Sequence, residues 1–417
     1  MNGGSSASGK KIVFLNRYFF PDQSATSQIL SYLSFALAKN HLPIHVLCSR
    51  QGYDLPQANL PAREQLDGVQ VHRIWTSHFG RDRLLGRALD YITFYICAGW
   101  KLLGLLRRGD VVVAMTDPPL ISIVAMFAAK LKRAHLVNWL QDIFPEVASR
   151  LDSNPLPRSV DRMVRWLRNA TLRHADINVV LGARMGELLQ QSGIPTNRIR
   201  IIENWAHFEA GAPKTTAASA LRASLGFGEK FIVGYSGNLG RAHDFRTVLE
   251  AASLLTAERE IVFLMIGSGA GMKALKQAAA ERGAGNFCFL PYQPQESLPD
   301  SLAAADVHWV SLQPSLEGLI VPSKVYGILA AARPVIFIGD RDGEVARLIE
   351  SGAAGLSVTP GDAQELARRI LRLKADDDER GRMGRNGLAL YRNNFTPERA
   401  LARWLEILEP HASSVRS

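Results

Sequence analysis

The feature of this sequence that most restricts its fold is a twofold series of short β-rich runs alternating with helical stretches. The runs are rich in Val, Ile and Leu, and the stretches between them carry apolar residues at helical spacing. This alternation is typical of βαβ units, whose parallel strands are covered by helices on both faces. The predicted strands are residues 11–16, 44–48, 69–74, 110–115, 135–139 and 177–181 in the first series and 231–235, 261–266, 287–290, 307–311 and 334–338 in the second.

An Ala-, Thr- and Ser-rich stretch without a clear period separates the two series. The predicted fold class is therefore α/β, with two Rossmann-like parallel-sheet domains and a ligand-binding cleft between them. A Thr-Pro-Glu start signal predicts a final helix at 397–408, and packing of that helix against the first domain is one arrangement. The predicted parts are a flexible leader at 1–10, a first domain at 11–208, a linker at 209–228, a second domain at 229–394 and the C-terminal helix region at 395–417.

All of the excess positive charge belongs to the first domain. Residues 1–208 carry 25 Lys and Arg against 15 Asp and Glu, a net charge of +10, whereas residues 209–417 are balanced at 24 of each. A surface of this kind should meet an anionic partner. Nucleic acid is one such polyanion, but the sequence has no recognisable nucleic-acid-binding motif, so we expect no nucleic-acid partner.

Cysteine usage and hydropathy restrict the compartment. The three cysteines lie far apart, with no CxxC pair, which predicts buried thiols in a reducing compartment and no disulfide framework or zinc site. The Gly- and Ser-rich residues 1–11 lack the apolar core of a signal peptide. The longest apolar stretches, 91–106 and 118–129, are shorter than the roughly 18–20 residues that span a bilayer. We therefore expect a cytoplasmic protein that is soluble or lies on a membrane surface.

The most informative segment is 314–336, with the sequence PSLEGLIVPSKVYGILAAARPVI. Ser323 is placed to cap a small-residue helix, whose first N–H groups and positive dipole end would suit a diphosphate. Lys324 in the first turn opposes the helix dipole, so its presence favours a bound anion. Glu317, just upstream, could accept hydrogen bonds from sugar hydroxyls. A surface loop with a solvated ion pair is the alternative for either charged residue alone.

This segment resembles the donor-domain signature of the retaining GT-B glycosyltransferases of family 4. That signature has a Glu-Gly start, an apolar turn and a second Glu that opens a small-residue helix before Pro-Val-Ile. Glu317 with Gly318 and residues 330–336 match it, but Gly327 stands where the second Glu, which usually holds the nucleotide ribose, would fall. The resemblance suggests Tyr326 or Lys324 as the replacement.

Other elements agree with this resemblance. Residues 235–240 (YSGNLG) look like the family's strand-to-loop element at the donor diphosphate, and residues 267–269 (GSG) look like its second glycine turn. Phosphoryl charge needs cations or N–H donors, so Arg241 and Lys324 are the expected phosphate clamp, with an exposed loop residue as the alternative for Arg241. The implied donor-binding residues are Asn238, Gly240, Arg241, His243, Gly267, Gly269, Leu319, Ile320, Ser323, Lys324 and Tyr326.

The first domain supplies the implied acceptor side. Where the family often has a Gly-rich loop after strand one, this chain has small residues. Gln141 and Asp142 stand where many relatives carry His-Asp, so Asp142 is the candidate for contacting the acceptor or the transferred sugar, with an Asx cap of the following turn as the alternative. Asp117, before two prolines, would shape the site. The implied acceptor-side residues are Ser24, Ala25, Thr26, Asp117, Gln141 and Asp142.

The combined motifs look closest to the colanic-acid fucosyltransferase-like subgroup of bacterial exopolysaccharide biosynthesis, over residues 10–410. This resemblance implies a retaining transfer from a UDP- or GDP-sugar to a saccharide carried on a polyprenyl diphosphate, in exopolysaccharide, O-antigen or capsule assembly. Glu317, Asp142 and Lys324 are the implied catalytic residues. No metal-ligand cluster, DxD pair or paired-carboxylate arrangement stands out, so we expect no metal and no cofactor besides the nucleotide-sugar co-substrate.

A basic helix predicted at residues 157–173 suggests how a lipid-linked acceptor would be reached. Its apolar residues recur at helical spacing, and a stripe of arginines lies on the other side. This stripe would attract an anionic inner-leaflet surface, which predicts a peripheral location at the inner face of the plasma membrane. A solvated arginine face over the sheet explains the periodicity equally well. The stripe consists of Arg158, Arg162, Arg165 and Arg168.

Three other functions deserve comparison with glycosyl transfer. A GT-B nucleotide-sugar epimerase would act on a soluble substrate and would not need a basic acceptor face. A nicotinamide-dependent dehydrogenase requires G-x-G-x-x-G after the first strand, which residues 16–26 lack. A non-catalytic sugar-nucleotide-binding protein remains an alternative because the second family Glu is missing at Gly327.

Overall fold

The computed structural model describes residues 10–52, 60–79, 84–151, 157–206, 208, 210–211 and 215–412. These residues form two α/β units. Unit 1 contains the residues up to Glu203 together with those from Glu398 on, and unit 2 contains Asn204–Pro397. In each unit the described strands form one sheet in which parallel pairing predominates, as the βαβ pattern predicts.

Unit 1 is built on an eight-stranded sheet. Its strands are β1 (Ile12–Leu15), β2 (Ile44–Ser49), β3 (Arg63–Leu66), β4 (Val69–Ile74), β5 (Val111–Ala114), β6 (His135–Trp139), β7 (Ile177–Val180) and β8 (Ile199–Ile201). Their order is β3-β4-β2-β1-β5-β6-β7-β8, and β3 pairs antiparallel with β4 at the edge. Because the chain leaves β1 toward β2 and later returns on its other side as β5, the sheet has a topological switch point at β1 and β5.

Helices connect the parallel strands of unit 1. Val13 and Leu15 of β1 face one side of the sheet and pack with Phe94 and Ala125 of the helices there. This packing follows from the period-two alternation of a strand, which sends Phe14 to the opposite side. The helices are α1 (Ala25–Lys39), α2 (Leu84–Leu105), α3 (Ile121–Lys132), α4 (Glu146–Arg150), α5 (Arg158–His174) and α6 (Ala183–Gln191).

Unit 2 is built on a six-stranded parallel sheet. Its strands are β9 (Phe231–Asn238), β10 (Ile261–Ser268), β11 (Phe287–Leu290), β12 (Val307–Ser311), β13 (Val335–Ile338) and β14 (Gly355–Val358). Their order is β11-β10-β9-β12-β13-β14, so the switch point lies between β9 and β12. The segments that follow β9 and β12 therefore leave the sheet side by side at its carboxyl edge.

The predicted linker at 209–228 is wrong in part, since residues Thr215–Ser224 form a helix of unit 2. Its Ala-rich sequence has high helix propensity, and Arg222 attaches it to the unit through an ion pair of 3.2 Å with Asp306. Asp306 also accepts a hydrogen bond from the N–H of Ile232 at the start of β9. The helices of unit 2 are α7 (Thr215–Ser224), α8 (Arg246–Leu254), α9 (Ala270–Glu281), α10 (Leu298–Ala303), α11 (Lys324–Ala330), α12 (Glu344–Ser351), α13 (Ala363–Ala375) and α14 (Asp377–Asn394).

The last helix, α15 (Pro397–Ala412), lies almost entirely in unit 1. Trp404 is fully buried there, with its ring centroid 6.2 Å from that of Phe14 and 4.8 Å from that of Trp139. Arg403 of the same helix forms an ion pair with Glu203, which follows β8. This aromatic cluster explains why the chain returns to the first sheet. Within the described residues, no helix is both long and apolar enough to cross a membrane.

Candidate functional site

Lys324 begins α11, on the segment that follows β12. Its ammonium donates a hydrogen bond to the hydroxyl of Tyr235 and lies 3.9 Å from the centroid of the Tyr235 ring, a cation–π distance. The same nitrogen lies 3.9 Å from the point where a Cβ on Gly237 would sit. The side chain therefore faces the carboxyl end of β9, the usual ligand-binding edge of a parallel sheet.

The Lys324 ammonium is held without a counter-charge. Among the described residues, no carboxylate forms an ion pair with it, and burial alone lowers the pKa of Lys324 to about 7. Removing a cation from water without an acidic partner disfavours the charged form. This arrangement is expected where an anionic ligand supplies the missing negative charge.

His243 adds a neutral hydrogen-bonding group beside this lysine. Its Nδ1 lies 2.6 Å from the carbonyl oxygen of Ser311, and because a carbonyl only accepts, Nδ1 carries the proton and donates it. Burial, followed by the charge of Lys324, lowers the pKa of His243 to about 3. The ring is therefore neutral at physiological pH, and its Nε2 is an acceptor.

Two glycine turns lie side by side at the ends of β9 and β10. Gly237, Gly267 and Gly269 have φ values of 126°, 128° and 123°, a region that favours glycine. A Cβ on Gly267 would lie 2.2 Å from the carbonyl oxygen of Gly237, and one on Gly269 would lie 2.3 Å from Oδ1 of Asn238. Gly267 and Gly269, both predicted donor residues, are thus required by the fold itself, because two backbone segments approach closely there.

Glu317 has a structural contact that the sequence interpretation did not include. Its Oε1 accepts a hydrogen bond of 2.7 Å from the backbone N–H of Glu344, the first residue of α12. A Cβ on Gly343 would lie 2.5 Å from the other carboxylate oxygen. The carboxylate therefore caps the N-terminus of α12, where N–H groups lack partners and the helix dipole favours negative charge. Sugar binding by Glu317 stays a prediction.

The cap predicted at Ser323 is wrong, and two other residues predicted at the donor are buried, so their role there stays a prediction. Ser323 occupies the N-cap position of α11, but its side chain makes no capping hydrogen bond, and the helix has only seven residues. Tyr326 is buried, with its ring centroid 5.0 Å from that of Phe395, so core packing rather than an open surface surrounds it. Leu319 is also buried.

The remaining predicted donor residues lie on the loop after β9 and on the segment after β12. Arg241 is exposed, and its carbonyl accepts a hydrogen bond of 2.8 Å from the side-chain amide of Gln313. Asn238 is exposed, and the space where a Cβ on Gly240 would sit is open. Ile320 is partly exposed. Their roles at a phosphate or nucleotide stay predictions.

Asp142 lies at the carboxyl edge of the sheet of unit 1. It follows β6 and hydrogen-bonds to Thr116, which follows the adjacent strand β5. Burial raises the pKa of Asp142 to about 6, although the hydrogen bond with Thr116 acts in the opposite direction. Its Oδ1 is buried and has no hydrogen-bond partner among the described residues. A buried carboxylate oxygen without a donor suits a ligand hydroxyl better than the Asx cap considered as the alternative.

The other acceptor-side candidates occupy neighbouring loops. The carbonyl of Asp117, after β5, accepts a hydrogen bond of 2.7 Å from the N–H of Arg17, after β1. The Ser24 hydroxyl donates to Oδ1 of Asp22 instead of facing open space. The remaining candidates are Ala25 and Thr26, which begin α1, and Gln141, which precedes Asp142.

Sequence reasoning missed Arg17 and Tyr235. The Arg17 side chain is almost fully buried at the end of β1, 4.0 Å from the carboxylate of Asp90 and 5.1 Å from the centroid of the Tyr91 ring. A charged residue directly after a buried strand is a signal that could have identified Arg17. Tyr235 belongs to the YSGNLG motif, but its contact with Lys324 joins residues 89 positions apart.

The basic stripe expected on the membrane-facing side of α5 is wrong for Arg168, and a second of its arginines, Arg165, is held in ion pairs. Arg168 is only 7% exposed, and its guanidinium lies 2.6 Å from the carboxylate of Glu146. Arg165 binds the same carboxylate at 2.5 Å and Asp161 at 2.6 Å. Glu146, on the preceding helix α4, and Asp161 together neutralise this side of α5. The exposed arginines are Arg158 and Arg162.

The described residues contain no group of three His, Cys, Asp or Glu side chains placed to hold a metal ion. Metal independence stays a prediction.

Two family sequence models match the chain. The family described as "Glycosyl transferase 4-like domain" matches residues 26–205, and the family described as "Glycosyl transferases group 1" matches residues 218–389. The first range covers most of unit 1 and the second lies within unit 2. The chain therefore belongs to the GT-B glycosyltransferases of family 4, as its motifs predict.

Two curated proteins extend this similarity. One from Pseudomonas aeruginosa, named "Probable glycosyltransferase WbjE", is 29% identical over 300 residues, which is 70% of this chain and 72% of that protein. The other is WcaI of Escherichia coli strain K12, whose name describes it as a glycosyl transferase of colanic acid biosynthesis. It is 27% identical over 231 residues, which is 54% of this chain and 56% of WcaI.

A solved structure supports the fold. The crystal structure of HepE from Anabaena in complex with UDP superimposes with a TM-score of 0.70, covering 96% of this chain and 100% of that chain at 18% identity. The similarity over nearly the whole length confirms the predicted GT-B class with two parallel-sheet α/β domains.

Proposed function

We propose that this protein transfers a sugar from a UDP- or GDP-sugar to a saccharide carried on a polyprenyl diphosphate, with retention at the anomeric carbon. The proposed process is assembly of a bacterial exopolysaccharide, O-antigen or capsule, in the colanic-acid fucosyltransferase-like subgroup. Membership in family 4 supports glycosyl transfer, and the names of WbjE and WcaI support this class of product. The UDP complex of HepE supports a nucleotide-sugar donor.

The observation that carries the proposal is the unpaired ammonium of Lys324 at the end of β9. It faces a glycine turn, Gly237, at the topological switch point of unit 2. A diphosphate at this position would supply the counter-charge that no described carboxylate provides. We therefore assign donor binding to unit 2, with Arg241 as a second cation on the adjacent loop.

Acceptor binding is assigned to unit 1. Its half of the chain carries the whole net charge of +10, which suits an acceptor with a diphosphate in an anionic membrane. Asp142 offers a buried carboxylate oxygen to an acceptor or sugar hydroxyl. We place the protein on the cytoplasmic side of the plasma membrane, where such an acceptor would be reached.

In the proposed reaction the bond between the anomeric carbon and the donor diphosphate breaks as the acceptor hydroxyl attacks the same face of the sugar. The leaving diphosphate takes the hydroxyl proton. Lys324 stabilises the charge that develops on the leaving group, and Asp142 orients the hydroxyl. Protein catalysis in this scheme consists of positioning and charge stabilisation.

The test incubates the protein with radiolabelled UDP- and GDP-sugars and a bacterial membrane lipid extract. We expect one donor to give label that extracts into organic solvent, and Lys324→Gln to remove it. Lys273→Gln is the matched control, because Lys273 is an exposed lysine of the same unit. Label that stays in the aqueous phase with every donor would refute the transfer, and an epimerised aqueous nucleotide sugar would favour the epimerase.

A further inference from the structure

Helix α2 has two apolar faces, and only one of them is buried. Its sheet-facing side is formed by residues that recur every four positions, including Phe94, Ala98 and Leu102. A helix that is apolar all round is expected to be covered on all sides. Here the second face remains in solvent, with Leu85 at 81% and Trp100 at 75% exposure. The exposed apolar residues of α2 are Leu85, Leu89, Ile92, Ile96 and Trp100.

The adjacent helix α3 continues this exposed face. Phe127 and Leu131, one turn apart, are both exposed, with Leu131 at 71%. Between the two helices lies an open apolar cavity of about 640 Å³, lined by Leu103 of α2 and by Val124 and both exposed residues of α3. We call the five exposed residues of α2 together with these two of α3 the α2–α3 apolar surface. Exposed apolar areas of this extent usually mark an interaction site.

The charged side chains that α2 and α3 themselves carry are almost all basic. Among the residues of α2 and α3, Asp90 is the one carboxylate, and it is buried with its Oδ1 accepting from the Ser77 hydroxyl. Exposed cations flank the surface, with Arg87 near the start of α2. The N–H of Gly109 donates to the carbonyl of Arg133, which joins the ends of α2 and α3. The exposed cations at this end are Arg107, Arg108, Lys130 and Arg133.

We propose that the α2–α3 apolar surface inserts into the interface of an anionic lipid bilayer, with α2 parallel to the membrane plane. The apolar side chains would reach the boundary of the acyl chains, and the flanking cations would meet anionic headgroups. No described helix is long and apolar enough to cross the membrane, so this contact is interfacial. A second copy of the chain fits less well, because pairing two such surfaces would also bring their cations together.

This surface replaces the arginine stripe of α5 as the membrane contact. Arg165 and Arg168 are neutralised by Glu146 and Asp161, whereas the cations beside α2 and α3 have no exposed carboxylate on those helices. The inference rests on the proposed function, since a lipid-linked acceptor would place the enzyme at a membrane. Vesicle binding requires neither donor nor acceptor, so the two proposals can fail separately.

The test measures flotation of the full chain with vesicles of phosphatidylcholine alone and of phosphatidylcholine with phosphatidylglycerol. We expect binding to the anionic vesicles, and Ile96→Glu to weaken it by about tenfold or more, since the buried apolar side chain is replaced by an anion. Leu254→Glu on α8 of unit 2 is the matched control, because Ile96 and Leu254 are both 56% exposed. Circular dichroism and UDP binding of both variants check that they fold.

Two further measurements separate the contributions. The double variant Arg107→Gln and Arg108→Gln should weaken vesicle binding at low salt, and the binding that remains should be resistant to salt. Ile96→Ser, which adds no charge, should remove this salt-resistant binding. Wild-type binding by Ile96→Glu, or equal loss in Leu254→Glu, would overturn the proposal. Sedimentation velocity tests for a dimer. If the wild type dimerises and does not bind vesicles, and if Ile96→Glu dissociates the dimer, the membrane proposal is overturned in favour of a second copy of the chain. Vesicle binding without transfer from any donor would refute the proposed function alone.

Discussion

The ammonium of Lys324 donates to the hydroxyl of Tyr235 and lies 3.9 Å from the centroid of its ring, although the two residues are 89 positions apart in the chain. This contact joins the segment after β12 to the end of β9, the two strands on either side of the switch point. Burial without an acidic partner lowers the pKa of Lys324 to about 7. Its charge state is therefore sensitive to pH near neutrality.

Binding of UDP should weaken as the pH rises. Above about pH 7 Lys324 loses its proton in the free protein, and with it the charge that would hold the diphosphate. Because a bound anion favours the ammonium, the pKa of Lys324 is higher in the complex, so the increase in Kd begins near pH 7 and levels off above that higher pKa. We expect the Kd for UDP to increase by about tenfold between about pH 7 and 9, measured by calorimetry. Lys324→Arg keeps its charge throughout this range, so a wild-type-like pH dependence in that variant would contradict the assignment.

Lys324 should also destabilise the folded protein. Its pKa is lower in the folded state than in the unfolded chain, so the unfolded chain binds more protons between about pH 7 and 10.4. The free energy of unfolding should therefore rise with pH in this window, and the full penalty applies below it. We expect Lys324→Met to raise the free energy of unfolding at pH 7 by roughly 1–3 kcal/mol, measured by urea denaturation. Lys273→Met, at an exposed site, should change it little.

A more stable but inactive Lys324→Met variant would be informative. Stabilisation on removal of a side chain is expected at sites kept for function. Loss of stability would instead show that Lys324 serves the fold through Tyr235.

The strands and the long-range contacts of this protein differ in how far they can be predicted. β11 at Phe287–Leu290 and β12 at Val307–Ser311 match the prediction to the residue, because both are short runs rich in β-branched and aromatic residues. The edge strand β3 has the sequence REQL and no buried face, so local patterning does not reveal it. Local patterning does not identify α7 either, because an Ala-rich stretch is typical of both a linker and a helix.

For the site residues, too, local sequence predicts the position in the fold but not the long-range contacts. The position of Lys324 at the carboxyl edge follows from the parallel pairing of the strands, which the βαβ pattern predicts. Burial of Arg168 by Glu146 and burial of Tyr326 by Phe395 depend on partners 22 and 69 positions away. Helical periodicity assigns a residue to a face of its helix, but it does not identify the acid or the ring that covers that face.

Glu317 can be tested for two separate roles. Glu317→Ala removes the acceptor for the N–H of Glu344, so we expect a loss of about 1 kcal/mol in the free energy of unfolding. Glu317→Gln keeps an acceptor oxygen of the same shape and should retain most of that stability. If Glu317 also binds sugar hydroxyls, the Gln variant should still lose transfer, measured as kcat/KM for the donor. Full transfer by Glu317→Gln would limit this residue to capping α12.

The glycine turn at the end of β10 offers a conformational test. Gly267 has a φ of 128°, and a Cβ there would lie 2.2 Å from the carbonyl oxygen of Gly237. Gly267→Ala should therefore move the turn that faces Lys324 and weaken UDP binding by about tenfold or more. Gly283→Ala is the control, because Gly283 also has a positive φ but no heavy atom within 4 Å of its Cβ position. Equal effects of the two variants would show that strain alone, and not the contact between the turns, is responsible.

Asp142 provides the clearest separation of stability from activity. Burial raises the pKa of Asp142 to about 6, so the folded protein binds more protons than the unfolded chain between about pH 4 and 6. The free energy of unfolding should fall as the pH rises through this window and stay lower above it. Asp142→Asn has no proton to release and can still bond to Thr116, so we expect it to be more stable than the wild type at pH 7 by roughly 1–3 kcal/mol.

The amide of the Asp142→Asn variant should nevertheless hold the acceptor hydroxyl less well than the carboxylate of Asp142, since charged acceptors form stronger hydrogen bonds. We therefore expect kcat/KM for the acceptor to fall by about tenfold or more, with the Kd for UDP unchanged. Unchanged acceptor kinetics together with increased stability would leave Asp142 as a strained structural group and return the search for the acceptor contact to Arg17 and Asp117.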